Sequence, residues 1–341
     1  MKISSVSRDI KILAIETSCD ETSASVVGSD YKILSNITYS QIPFHQKTQG
    51  VVPEVASRLH EKKIIPTIEN ALKSAGIKIE QIEAVAVTQG PGLVGSLLVG
   101  VETAKTIAWL RHLPIQGVNH IYAHLISPIT SFDNFKTIKF PVLVLTASGG
   151  HTFLVLLLSW TNYQVLGQTI DDASGEAFDK IATLLGLPYP GGPALEKLAR
   201  EFQGQSKIIF PSPKINSDDL NFSFSGLKTA VLYYLQKNPG AKKTEVAYAS
   251  QQAIIKVLVE KTERAFAQFK PKTIFIAGGV SANNALRQTM IEKFSARAPI
   301  YFPAKGFFGD NAGMIGLAFF LNLKTPSEAW DKIKAQPNLK L

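Results

Sequence analysis

Two histidines stand four residues apart in Asn119-His120-Ile121-Tyr122-Ala123-His124, behind the extended run Leu113-Pro114-Ile115-Gln116-Gly117-Val118. On a helix from His120 to Ser127, positions i and i+4 share one face with Cβ atoms about 5–6 Å apart, so two imidazoles can share one ion. Two ligands are not yet a site, and without a third both histidines read as packing or surface residues. A third donor stands far downstream, in Phe307-Phe308-Gly309-Asp310-Asn311-Ala312-Gly313-Met314-Ile315. Taken alone, Asp310 reads as the N-cap of an apolar helix from Met314 to Leu323. If that helix folds back beside the first half of the chain, Asp310 completes a set of two histidines and one carboxylate with open coordination positions. Such a set suits Fe(II) or Zn(II).

A zinc protease of the H-E-x-x-H kind also pairs histidines on a helix, but here Ile121 stands where the water-activating glutamate belongs. That weighs against a metallopeptidase. Other stretches bear on phosphate chemistry. The turns at Gly149-Gly150 and Gly278-Gly279 are either tight structural turns or cradles for phosphate or ribose, the second opening into a helix N-terminus. Ser223-Phe224-Ser225-Gly226-Leu227-Lys228-Thr229 is no Walker A loop, because Leu227 separates glycine from lysine and the upstream glycine is missing. Asp172, Glu176 and Asp179 fall at helical spacing on one side, either a solvated face or a face with one carboxylate given a hydrogen-bonding task. The turn Tyr189-Pro190-Gly191-Gly192-Pro193 can bring backbone to the same ligand. His45 and His60 have no partner at ligand spacing and read as surface residues.

The elements that must position these groups come in pairs. From Lys11, ILAIETSCDETSASVV reads as a buried strand, a polar turn and a second strand, and VLVLTASGGHTFLVLL after Pro141 repeats the pattern. Likewise AVAVTQGPGLVGSLLVG from Ala84 and TIFIAGGVSANNALR from Thr273 each run strand, glycine turn, helix. The order predicts a duplicated α/β architecture with glycine turns facing a cleft between two lobes. The tail from Thr325 reads as a peripheral helix and frayed end.

A chain of 341 residues is long enough for about two domains. With 45% hydrophobic and 18% charged residues it has the composition of a soluble globular protein. Its single cysteine, Cys19, allows no internal disulfide, which suits a reducing compartment. Met1 to Asp9 is too polar for a signal peptide, and apolar runs such as Phe153–Leu158 are far shorter than the ~18 residues of a membrane span. The chain therefore reads as cytoplasmic. A net charge of +9 is compatible with a polyanionic partner, although the lysines are scattered and no nucleic-acid module shows its own signature.

Ten motifs in order carry a specific likeness: ETSCDETS at 16–23, GVVPEVASR at 50–58, GPGLVGSLLVG at 90–100, the histidine pair, SGGHT at 148–152, DDASGEAFDK at 171–180, YPGGP at 189–193, FSFSGLKT at 222–229, AGGVSANNALR at 277–287 and DNAGMI at 310–315. From about Lys11 to Leu323 the chain resembles the tRNA N6-adenosine threonylcarbamoyltransferase family, the TsaD-type catalytic subunit. The resemblance implies an actin/hexokinase-like fold of two lobes about a central cleft. It bounds a first lobe at 10–139 plus 308–330, a second at 140–307, and tails at 1–9 and 331–341.

It further implies transfer of the threonylcarbamoyl group from L-threonylcarbamoyladenylate to N6 of adenosine 37 in the anticodon stem-loop of tRNAs reading codons that start with A. By motif position, His120, His124 and Asp310 would hold one divalent metal, Fe2+ in that family, with Zn2+ the alternative. Thr146, Ala147, Ser148, Gly149, Gly150, Asp179, Gly192 and Asn283 would hold the adenylate. A non-catalytic paralogous subunit and a small ATPase are the implied protein partners, and no membrane is implied. Two positions depart from the family's pattern: Ala147 where valine is common, and Gly309 where threonine or serine precedes the metal aspartate. The fold class also admits an ATP-dependent small-molecule kinase, for which Glu16, Asp20 or Asp179 would serve the phosphates. A non-catalytic scaffold would not need three metal ligands. No carboxylate's spacing singles out a general base, which leaves the departing phosphate as one acceptor for the proton.

Overall fold

Residues Lys11–Glu16 form strand β1, and a polar turn sends the chain back as antiparallel β2, Glu21–Gly28, and β3, Ile33–Ser40. Ile12, Leu13, Ala14 and Ile15 are all fully buried, as an unbroken apolar run requires when both faces of a sheet are covered. A short helix α1, Ile42–His45, leads into α2, Pro53–Ala75. Strand β4, Ala84–Gly90, then lies parallel to β1, helix α3 spans Val94–Arg111, and β5, Ile115–Asn119, lies parallel to β4. The sheet order is β3-β2-β1-β4-β5. On one face Leu13, Ile15, Val85 and Val87 pack with Ile64, Ile68 and Ala71 of α2 and Val101, Ala104 and Ala108 of α3. Helix α4, His120–Ile126, follows β5 directly.

The computed structural model describes residues 9–215, 217–322 and 329–341, divided between two compact units: Met1–Ser127 with Asp310–Leu341, and Pro128–Gly309. The second unit repeats the first. Antiparallel β6, Val142–Ala147, β7, Thr152–Ser159, and β8, Asn162–Gln168, are joined by β9, Thr273–Ala277, and β10, Ile300–Tyr301, both parallel to β6. Read from the meander outward the order is β8-β7-β6-β9-β10, the counterpart of the first sheet. Its helices are α5, Ser174–Leu184, α6, Gly191–Arg200, α7, Ser225–Lys237, α8, Lys243–Phe269, and α9, Asn284–Phe294. Leu143, Leu145, Phe178, Phe222, Ile254 and Ile276 lie in its core. Lys261 is buried in the same unit because its ammonium donates to the Ser217 hydroxyl at 2.8 Å and the Asp219 carbonyl at 2.6 Å.

The chain then returns to the first unit as α10, Ala312–Leu321, which packs on β1, β2, β3 and α4. Gly316 permits that approach, since a Cβ there would stand 2.4 Å from Val27 Cγ2. The tail differs from the helix and frayed end expected of its polar composition. Its first part, 325–328, lies outside the described residues, as does 1–8 of the N-terminal stretch. Residues 329–341 form no helix: Ile333 is buried and the Gln336 N–H donates to Gln89 O at 2.7 Å. The Gly92 N–H donates to Pro337 O at 3.1 Å, and Asn119 Nδ2 to Lys340 O at 2.9 Å. Backbone at the end of β4 and just beyond it, with the Asn119 side chain, thus gives the tail partners that composition does not reveal.

Candidate metal centre

The C-terminal ends of the parallel strands β1, β4 and β5 point the same way, the usual place for a site in an α/β sheet. Asn119 ends β5 and caps α4, its Oδ1 accepting from the N–H groups of Ile121 at 2.9 Å and Tyr122 at 3.1 Å. The helix places His120 and His124 on one face, both buried, with ring centroids 4.6 Å apart.

Asp310 arrives from the other end of the chain, held by how α10 begins. The N-cap of α10 is Asn311, whose Oδ1 accepts from Met314 N at 3.0 Å, and not Asp310. Ser23 Oγ takes the next N–H, of Ala312, at 2.9 Å, and Asn36 Oδ1 that of Gly313, also at 2.9 Å. These bonds satisfy the helix's orphan donors and pin its start to β2 and β3. The Asp310 carboxylate is thereby placed 3.0 Å from His124 Nε2 and 3.5 Å from His120 Nε2. A Cβ at Gly309 would meet nothing within 4 Å, so the position has room for the serine or threonine of the family's pattern and its packing does not demand glycine.

Behind the histidines sits Glu16, fully buried at the end of β1. Its Oε2 accepts from the Thr88 hydroxyl at 2.6 Å and lies 2.9 Å from His120 Nδ1, while Oε1 accepts from Ser18 N at 2.5 Å. Burial alone would push the His120 pKa down, but the carboxylates of Glu16 and Asp310 outweigh it and raise the value to about 9. Burial opposes the charge on Glu16, yet His120 and the Thr88 hydroxyl hold its carboxyl below the ordinary range. Glu21 is driven well above that range by burial and by the charges of Asp20 and Asp310, and burial with the same charges drives the Cys19 thiol up.

The residues fit one divalent ion. Donor atoms of His120, His124 and Asp310 all lie within 4.8 Å of one another, and the surrounding carboxylates make a field that a cation relieves. A proton and a metal then compete for His120. In the metal-free chain that histidine binds its proton more tightly folded than unfolded. Its stabilising contribution is therefore complete below about pH 6.5 and is lost as pH rises through about 9. Metal uptake near neutral pH is expected to release about one proton. Calorimetric titration in two buffers of different ionisation enthalpy measures it, and a binding heat independent of the buffer would contradict it.

The remaining sequence-derived positions lie in the second unit. Thr146 and Ala147 end β6, and the Ser148 carbonyl accepts from Gly175 N at 3.0 Å. Gly149 and Gly150 are exposed, and a Cβ on either would meet nothing within 4 Å, so the chain's own packing does not demand glycine there. Of the three carboxylates it is Asp179 that holds backbone: its Oδ1 accepts from Gly191 N at 2.7 Å and Gly192 N at 3.2 Å, fixing the start of α6. Asp172 and Glu176 instead pair with Lys180. Asn283 caps α9 through Leu286 N at 3.0 Å and donates to Gln251 Oε1 at 2.9 Å. The hydroxyls of Thr146 and Ser281 are buried with no hydrogen-bond partner among the described residues.

Two expectations are corrected. His45 and His60 are not surface residues. His60 is bonded to the Thr22 hydroxyl at 2.7 Å and the Cys19 carbonyl at 2.9 Å, and His45 to Gln41 at 3.1 Å. His60 is satisfied by partners distant in sequence, and His45 by the side chain of Gln41 one helical turn back and by the Val52 N–H, which donates to its Nδ1 at 3.4 Å. Sequence reasoning also passed over Glu16 as a partner of His120; its only local signal is a carboxylate ending an apolar strand.

Comparison with known proteins now decides the family. Residues 32–317 match the profile of TsaD: tRNA N6-adenosine threonylcarbamoyltransferase. The chain belongs to this family. It is 45% identical over 338 residues to the tRNA N6-adenosine threonylcarbamoyltransferase of Clostridium botulinum (strain Kyoto / Type A2), covering 97% of this chain and 98% of the relative. The protein of the same name from Geotalea daltonii is 47% identical over 311 residues, 90% of each chain. Among solved structures, component A of the (R)-2-hydroxyglutaryl-CoA dehydratase of Acidaminococcus fermentans superposes with a TM-score of 0.55 at 13% identity, covering 93% of this chain and all of that one. Full-length HypF gives 0.61 at 14% identity over 95% of this chain and 57% of its own. At such identities these two speak for the fold alone, and with the repeated sheet order they place this TsaD-family chain in the duplicated actin/hexokinase-like α/β class.

Proposed function

We infer that the chain is an acyltransferase that moves the threonylcarbamoyl group from L-threonylcarbamoyladenylate to N6 of adenosine 37 in tRNAs reading codons that start with A. The observation that carries this reading is the convergence of His120, His124 and Asp310 in a chain of the TsaD family. The N6 amine forms a bond to the carbamoyl carbon, the bond from that carbon to the adenylate phosphate oxygen breaks, and AMP departs. N6 gives up a proton, for which the departing phosphate is the acceptor we assign. The resident ion, Fe2+ in our reading and Zn2+ as the alternative, supplies Lewis acidity worth several kcal/mol when bound.

The protein's own part is binding and orientation. The Thr146–Gly150 turn offers backbone N–H groups to the adenylate, Asp179 fixes Gly191 and Gly192 for the same purpose, and Asn283 holds the entry to α9. Holding the adenylate still turns an encounter of two bulky partners into a positioned transfer. The net charge of +9 favours the tRNA phosphates. A non-catalytic paralogous subunit and a small ATPase complete the partner set we propose, in the cytoplasm. Among the described residues no helix is long and apolar enough to cross a membrane.

The peptidase alternative lacks support, since Ile121 is a buried apolar residue where a water-activating glutamate would be needed. The decisive assay is reconstitution: the metal-loaded chain with its partner subunits, threonylcarbamoyladenylate and unmodified tRNA, followed by nucleoside mass spectrometry. Threonylcarbamoyladenosine is expected. Its absence beside a competent control enzyme would overturn the assignment.

A further inference from the structure

We propose that Glu16 is the positioning residue of the metal centre, holding His120 with its Nδ1 proton turned inward so that the Nε2 lone pair faces Asp310 and His124. The proposal rests on the metal reading above and adds a residue to it. Glu16 is itself anchored from three separate segments: Ser18 N on Oε1 at 2.5 Å, and the Thr88 hydroxyl at 2.6 Å and His120 Nδ1 at 2.9 Å on Oε2. An ionised carboxylate only accepts, so the nitrogen facing it must carry the hydrogen, and the other nitrogen is left as the ligand.

The two histidines differ in this respect. His124 Nδ1 is buried with no hydrogen-bond partner among the described residues, so its ring is set by packing and by Asp310 alone. His120 is the anchored ligand. A competitor stands beside it, for the Ser18 hydroxyl is 3.2 Å from the same Nδ1. Without the carboxylate, that hydroxyl donates to Nδ1 and the ring's hydrogen moves to Nε2, where it blocks the lone pair the ion needs. Glutamine cannot substitute for the carboxylate. Its NH2 must face either Ser18 N–H or the Thr88 and His120 donors, so one side of the network is lost whichever way the amide turns.

The test uses the full chain stripped of metal and titrated with Co(II), read by visible absorption, with His120→Ala, Glu16→Gln and Thr88→Val beside the wild type. The wild type is expected to bind one Co(II) and H120A none; failure of this pair removes the metal reading itself rather than the role of Glu16. E16Q is expected to bind about 10–100-fold more weakly. T88V, which removes one anchor of Glu16 but keeps the Glu16–His120 bond, is expected to lose less affinity than E16Q. Thermal melting of the metal-free variants establishes that each is folded. Side-chain 15N NMR of the Zn(II)-loaded wild type supplies a readout that needs no variant: His120 is expected to show a protonated, exchange-protected Nδ1. The proposal is overturned by unchanged Co(II) affinity in E16Q, by T88V losing as much affinity as E16Q, or by a His120 whose proton sits on Nε2.

Discussion

Asp310→Ala is expected to abolish metal binding and to slow threonylcarbamoyl transfer by about 10³-fold, the equivalent of losing several kcal/mol of Lewis-acid stabilisation. Stability is expected to change by less than about 1 kcal/mol, because Asn311 and not Asp310 caps α10 and the Asp310 side chain is partly exposed. His120→Ala is expected to lose the same activity and, in addition, about 3–5 kcal/mol of stability, because it leaves the Glu16 charge buried without its partner. Single-turnover transfer rates and chemical denaturation of both variants separate the two effects. An Asp310→Ala chain that still transfers at the wild-type rate would remove the carboxylate from the site.

Gly278→Ala is expected to be strongly damaging to the second unit. Gly278 has φ +81°, and a Cβ there would stand 2.4 Å from the carbonyl oxygen of Ala147, which is backbone and cannot move aside. The left-handed conformation and the collision together are expected to cost about 2–4 kcal/mol. The displaced group lies in the turn proposed to hold the adenylate, so affinity for an unreactive adenylate analogue falls as well, by about tenfold or more. Gly279→Ala is the control, since its Cβ meets nothing within 4 Å and its effect should stay within about 1 kcal/mol. Urea denaturation of the pair checks the contrast, and equal losses would show that the approach to Ala147 is not what the glycine serves.

The repeated hairpins were legible in the sequence because alternation and apolar runs are local, and each pair became β1–β2 or β6–β7. His120 and His124 were legible for a similar reason, being neighbours on one short helix. Asp310 was legible only as one of two alternatives, and the structure gives the capping role to the next residue, Asn311. Glu16 was not legible as a partner of His120, because it ends an ordinary buried strand and its partner lies 104 residues away. The burial of His60 was not legible, because the groups that satisfy it are the Thr22 hydroxyl and the Cys19 carbonyl, about 40 residues away, and no sequence pattern ties either to it. The course of residues 329–341 was not legible for the same reason: polar composition does not mark the backbone bonds to Gln89 and Gly92 that fix them without a helix. Local periodicity shows in the sequence, and hydrogen bonds between distant segments do not.

The central claim is that one ion sits among His120, His124 and Asp310, and anomalous diffraction from crystals of the Fe- or Zn-loaded chain tests it most directly. The account predicts a single strong peak about 2.0–2.2 Å from Nε2 of both histidines and from an Asp310 oxygen. A loaded crystal with no peak there, or with the ion bound by other residues, would contradict it.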